Sequence, residues 1–409
     1  MNRGKTTIFS ISIVAILLLV SITPIEGQSV AQASVERDYW PTEHWLNTTP
    51  EEQGLRLADL DRIDTSISEN DIALHSVLVI KNGYIVYEKY YSYWSQYMAH
   101  TIQSCTKSVM SALIGIAIDK GYIDNVSQRV IDFFPGYTID NLDSRKENIT
   151  LYHLLTMSSG LEWHEVDIPY SDPANDLFAM YRSDNMWQYV LDRPMEHDPG
   201  DQWSYNSGGI ELLGGIIQHT TGYSVTEFVE EFLFDPIGIG SFQWWRVPAS
   251  NQYGCSGGLY LKPRDMARFG YLYLNNGTWN GIQIVSSDWV NVSTPPQYDT
   301  GGWYTYGYTW WSIPGNTFYE ATGHYEQKIY ILPEQDMVVV FTGDVQDEDW
   351  HPTDYYVMEY IIPSFEDEDA SLDPILIIST SLLVVILAPV PIMLVRMRGA
   401  SAQRKTEAV

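Results

Sequence analysis

The chain has 409 residues, 45% hydrophobic and 18% charged, the composition of a globular protein with room for a sizeable core. Acidic residues outnumber basic ones by 52 to 23, and the formal net charge of −29 excludes a nucleic-acid footprint and disfavours docking of the folded part on anionic lipid. Two cysteines, without a C-x-x-C spacing or a cluster of metal-ligating neighbours, exclude a zinc site built on cysteine.

In chain order, residues 1–33 read as an export signal: Arg3 and Lys5 precede the apolar run Ile8 to Ile22, and small and polar residues including Ala31-Gln32-Ala33 follow. The main domain is expected over 34–365. Its lead-in, Val35 to Ser66, is aromatic and acidic and reads as irregular, ending in a short helix. Ser76 to Ile80 and Tyr84 to Tyr91 flank Lys81-Asn82-Gly83, and Asn-Gly supplies the positive backbone angles of a tight hairpin turn.

The stretch Gln103 to Gly121 comes next. From Cys105 the residues Val109, Ala112, Leu113, Ile116 and Ala117 recur at helical spacing, with Gly121 as the stop, which predicts a buried helix. Ser104 stands where the first turn begins, near unpaired N–H groups and the positive end of the helix dipole. Lys107 lies one turn on, on the same side. A serine hydroxyl is a weak nucleophile at neutral pH until a neighbour takes its proton, and a lysine buried in this helix suits that task because desolvation lowers an amine's pKa. Read alone, the pair equally describes a helix cap followed by an ordinary surface lysine.

Leu151 to Leu161 reads as helical and then broken at Gly160, and Glu162 to Pro199, rich in Asp, Pro and aromatics, as loops lining a cleft. Trp163-His164-Glu165 has no second histidine at a ligand spacing, so it reads as cleft wall and no metal is expected. Tyr205 follows the turn Pro199-Gly200 and precedes Gly208-Gly209, on a loop entering a helix, where a side chain is aimed into a cleft. Its phenol titrates near ~10 unperturbed, so only an adjacent cation makes it a useful base. Gly209 to Thr220 is a second long helix closed by Gly222. Strand character returns after Gly257, and Gln327 to Leu332, the turn Pro333 to Asp336 and Met337 to Thr342 form a second hairpin. Strands at both ends with helices between them predict an α+β fold, an antiparallel sheet flanked by helices with an inserted, mainly helical lobe.

Beyond an acidic linker, 366–373, the uncharged apolar stretch 374–395 is long enough for one C-terminal transmembrane helix. Arg396, Arg398, Arg404 and Lys405 give the tail 396–409 a basic character, which places it in the cytoplasm and the main domain outside the cell.

Taken together, SCTK at a helix start, LLTMSSGL, PGDQWSYNSGG before LLGGII, GGLYLKPRDMARFGYLYLNNGTW and GHYEQKIYILPEQDMVVVF resemble the serine β-lactamase and penicillin-binding-protein superfamily. More narrowly they resemble its branch of esterases and 6-aminohexanoate-dimer hydrolases, over Ser76 to Phe365. The resemblance implies a β-lactamase/transpeptidase-like fold with Ser104 as nucleophile, Lys107 sharing its proton network and Tyr205 shuttling a proton to the leaving group. Ser207 stands where many relatives carry asparagine, its hydroxyl still within expected reach of Lys107. Ala321-Thr322-Gly323 aligns with the Lys-Thr-Gly of β-lactamases. The cation is missing there, which argues against a β-lactam carboxylate, while Thr322 and Gly323 remain as supporting cleft residues. The resemblance also implies the backbone N–H groups of Ser104 and His324 as oxyanion donors. With Cys255 in a segment that is cleft-adjacent in the family and Cys105 beside the nucleophile, an exterior compartment would allow a Cys105–Cys255 disulfide.

The expectation is an exported, membrane-anchored serine hydrolase that cleaves a small-molecule ester or amide through a Ser104 acyl-enzyme, with no metal or organic cofactor. The alternatives are a D-amino-acid peptidase or amidase acting on cell-surface peptides, and a surface binding domain that kept the fold without the activity.

Overall fold

The computed structural model describes residues 37–346 and 351–365. The expected hairpin forms from β1 (Leu74–Lys81) and β2 (Tyr84–Tyr90), with Asn82 at φ 51° and Gly83 at φ 89° making the turn. Near the other end of the domain stand β3 (Tyr298–Asp299), β4 (Thr305–Tyr306), β5 (Trp311–Ser312), β6 (Tyr319–Gly323), β7 (Gln327–Leu332) and β8 (Met337–Gly343). Among the described residues these form one antiparallel sheet in the order β2-β1-β8-β7-β6-β5-β4-β3. The first hairpin thus closes on the last, with Val77 opposite Phe341 and Val79 opposite Val339.

Strand alternation divides the core. Leu78, Ile80, Val338 and Val340 face one cluster, and Val77, Val79, Val339 and Phe341 face the other. Both faces are covered, so these strands read as continuously apolar.

The helices that matter for the site are α1 (Leu57–Asn70), α2 (Cys105–Asp119), α3 (Ser207–Thr221), α4 (Pro263–Leu274) and α5 (Pro352–Tyr356). α2, α3 and α4 belong to the cluster on one face of the sheet, α1 and α5 to that on the other. α1 is a full helix where the lead-in was expected to end in a short one. Its stripe Leu60, Ile63 and Ile67 is sealed in the same cluster as Tyr356 and Ile361, and that tertiary cover extends it. α2 is buried from Cys105 through Ala117, and Gly121 follows at φ 75°. α3 starts where the Asn206 side chain accepts the N–H of Gly209 and stops at Gly222, φ 80°. The helix expected over Leu151–Leu161 is shorter, Leu151–Leu155, because Met157 adopts φ 57° ahead of Gly160 at φ 74°.

One part of the expected fold class is withdrawn. Among the described residues no helix is long and apolar enough to cross a membrane, and the α+β fold stands without a transmembrane helix. Length and apolarity are what a span requires, but a run of such residues does not by itself make one. The stretch 374–395 on which the expectation rested lies outside the described residues, as do the export signal, the linker and the basic tail.

Candidate active site

Ser104 reaches its position through a short strand and a turn. His100–Thr101 pairs with Leu259–Leu261, Ile102 donates its N–H to Leu259 O, and Gln103 at φ 48° swings the chain into α2. β6 ends directly against this turn. A Cβ on Gly323 would collide with the carbonyl oxygen of Ile102, so only glycine lets the strand edge lie this close to the helix start.

The three residues singled out from the sequence meet at one atom. Lys107 Nζ lies 2.9 Å from Ser104 Oγ, and Tyr205 donates its phenolic O–H to the same oxygen at 2.9 Å. Lys107 Nζ also donates to Ser256 O at 2.7 Å and sits 5.0 Å from the centre of the Tyr205 ring.

Burial sets the two proton affinities apart. It lowers the Lys107 amine to about 8, against the opposing pull of the Glu165 and Glu211 carboxylates. It raises the Tyr205 phenol, and Glu165 raises it further, so this tyrosine keeps its proton at neutral pH. The sequence left open where the proton of this coupled group resides, and burial places it on the phenol. Desolvation dominates, and Lys107 packs against the ring while its amine serves Ser104 and Ser256.

Ser207 also differs from expectation. Its hydroxyl donates to Glu165 Oε1 at 2.7 Å and its N–H to Glu165 Oε2 at 2.9 Å, leaving Lys107 to other partners. Trp163 Nε1 donates to the same carboxylate at 2.7 Å. Glu165, read from the sequence as part of a cleft wall, is a buried side chain whose carboxyl oxygens accept from three donors. Glu211 is a second buried acid, and burial raises its proton affinity. It accepts the N–H groups of Cys255 at 2.8 Å and Ser256 at 2.9 Å, which fixes the loop whose Ser256 carbonyl receives Lys107. Tyr181 braces that loop through Ser256 Oγ at 2.9 Å. A carboxylate inside the apolar run GIELLGGII was a visible signal, since such a charge on a buried helix needs partners.

Ala321 supplies no cation, as the sequence implied, and Thr322 turns toward a buried ion cluster formed by Glu320 of β6, Lys328 of β7 and Asp354 of α5. Thr322 Oγ1 donates to Glu320 Oε1 at 2.7 Å, and Lys328 Nζ lies 2.8 Å from Glu320 Oε1 and 3.2 Å from Thr322 Oγ1. Burial works against the Lys328 charge, but Asp354 and Glu320 outweigh it and hold the ammonium.

The disulfide is not formed; both cysteines are free and buried. The Cys105 thiol donates to Ala321 O at 3.3 Å and Gln327 O at 3.2 Å, facing the sheet. Cys255 packs instead on Gly214 of α3, where a Cβ would strike its sulfur. The two thiols are committed to different neighbours.

The cleft has two lobes that share Ser104, Tyr170, His324 and Tyr325. One, about 370 Å³, is lined by Gln103, Lys107, Glu165, Tyr181, Trp245 and Ser256. The other, about 340 Å³, is lined by Val166, Trp203, Tyr205, Trp311, Val345 and His351. His324, the expected second oxyanion residue, and Gly323 border the second lobe beside Ser104. Among the described residues no cluster of three or more metal-ligating side chains is present.

The chain matches the family described as Beta-lactamase over residues 61–359. It is 24% identical over 325 residues to the 6-aminohexanoate-dimer hydrolase of Paenarthrobacter ureafaciens, covering 72% of this chain and 78% of that protein. Among solved structures it shares the fold of a family VIII carboxylesterase, with a TM-score of 0.62 at 14% identity over 78% of this chain and 98% of that one. It likewise shares the fold of the penicillin-binding protein homologue from Pyrococcus abyssi, with a TM-score of 0.59 at 20% identity over 75% and 76%.

Proposed function

The chain belongs to the beta-lactamase family and is a serine hydrolase, and from that premise we propose that Ser104 is the nucleophile and that a small-molecule ester or amide is cleaved through an acyl-enzyme. The observation that carries this reading is the convergence of Lys107 Nζ and Tyr205 O–H on Ser104 Oγ, each at 2.9 Å.

Lys107 is the base. Burial lowers its pKa to about 8, so the neutral amine that accepts the serine proton is far more accessible near pH 7 than in an ordinary lysine. Ser104 Oγ then attacks the carbonyl carbon. The N–H groups of Ser104 and His324 receive the oxyanion, a kind of donor worth ~3–4 kcal/mol each in acyl transfer. Tyr205 gives its proton to the departing oxygen or nitrogen and is reprotonated at the expense of Lys107. Water releases the acid by the reverse sequence. A substrate carboxylate would meet no cation at Ala321, which supports an uncharged ester or amide over a β-lactam or a peptide C-terminus.

Replacement of Ser104 by alanine is expected to abolish turnover of p-nitrophenyl acetate and labelling by a fluorophosphonate probe, with the circular dichroism spectrum unchanged. Turnover retained in a folded Ser104→Ala protein overturns the assignment.

A further inference from the structure

The two lobes of the cleft are chemically unlike, and the proton-handling groups are divided between them. Lys107 borders the lobe that holds Glu165, Gln103 and Ser256; Tyr205 borders the lobe of Trp203 and Trp311. Resting on the hydrolase reading above, we infer that the Trp203–Trp311 lobe receives the leaving group. The preferred substrate is then an ester or amide whose alcohol or amine half is aromatic or bulky and apolar, with its acyl half in the Lys107 lobe.

Ser104 Oγ is within hydrogen-bond distance of both donors. As the oxygen attacks, its proton passes to Lys107 on the polar side. The new C–O bond forms, the carbonyl electrons move onto the oxyanion, and collapse of that intermediate breaks the bond to the leaving atom. That atom departs with an electron pair and needs a proton. Tyr205, held protonated by its burial, is the O–H donor that borders the other lobe, and Lys107 restores the proton it gives. The leaving atom must therefore face Tyr205, and whatever is attached to it extends into the lobe beyond.

That lobe has an aromatic and apolar wall, with Thr322, Glu326 and His351 as polar members of its lining. Trp203 and Trp311 stand edge to face with centroids 5.8 Å apart, Trp311 lies 6.1 Å from Tyr205, and Val166 and Val345 complete the wall. Of the polar members, His351 and Glu326 engage each other at 2.8 Å. The opposite lobe is mixed: Lys107, Gln103 and Glu165 line it together with Leu177, Trp245 and Tyr260, so it offers an acyl group more polar surroundings than the Trp203–Trp311 lobe offers.

Benzyl acetate and methyl phenylacetate test the assignment, because they are isomers that differ in which half bears the ring. With the full-length protein, and with rates referred to their alkaline hydrolysis, kcat/KM is expected to favour benzyl acetate by roughly tenfold or more, the discrimination an apolar pocket gives. Trp311→Ala should collapse that ratio toward one, chiefly through KM for benzyl acetate, and Trp311→Phe should restore most of it. Equal or reversed preference in the unmodified protein overturns the inference, whether or not the alanine variant folds. An enzyme that turns over p-nitrophenyl acetate through Ser104 but shows no such preference leaves the hydrolase standing and removes only the lobe assignment. Inactivity toward all three esters removes both.

Discussion

Glu165 and Lys107 occupy one buried region, and their opposition sets the pH at which the serine is activated. The amine acts only when neutral, so kcat/KM should rise with pH through about 8, the value burial gives Lys107. Glu165 favours the ammonium. Removing its charge in Glu165→Gln, which keeps the shape and an acceptor for Ser207, should move the acidic limb of the pH profile to lower pH. A limb that stays in place would mean that Glu165 only holds the loop. Ser104 and Lys107 were legible because three residues on a helix lie one turn apart, a purely local relation. Tyr205 was legible from the turns that flank it. Glu165, Glu211, Ser256 and Tyr181 were not read as part of the site, because their roles arise where distant segments converge, as when Ser207 reaches back to Glu165 and Ser256 to Lys107. The direction of the Tyr205 shift was hidden for the same reason: burial is a property of the fold, whereas a neighbouring lysine is visible in the chain.

At the scale of elements, the edge of β6 against the start of α2 is the contact that shapes the cleft. Gly323→Ala would drive a methyl group into the backbone of Ile102. It should cost about 1–3 kcal/mol of stability, read from urea midpoints, and lower kcat more than it raises KM, because the strand edge shifts away from Ser104. Unchanged turnover would show that the edge does not position the nucleophile. The two hairpins and the helices α2 and α3 could be read directly, each from a periodic apolar pattern with a turn or glycine at its end. β3, β4 and β5 could not: two residues each, they have no period to detect and exist because the sheet extends to meet them. α1 was underestimated since its stability comes from the chain's distant end, where α5 and the residues after it share its cluster.

On the whole molecule, the sheet begins and ends with strands from opposite ends of the domain, so β1 finds its partner β8 only after the intervening 250-odd residues, roughly, have been accommodated. The helical lobe carrying Tyr205 and the sheet carrying Gly323 are both packed against α2, and the cleft is the seam between them. The transmembrane helix was the expectation withdrawn, because among the described residues no helix is long and apolar enough to cross a membrane. The pair of thiols has a use of its own. With Cys105 and Cys255 both shielded from solvent, an aromatic disulfide reagent should stay colourless over the native protein and release two equivalents of chromophore as the chain opens in denaturant. Prompt release of one equivalent under native conditions would contradict this. The molecule thus comes with an intrinsic gauge of its own unravelling, readable without any added label.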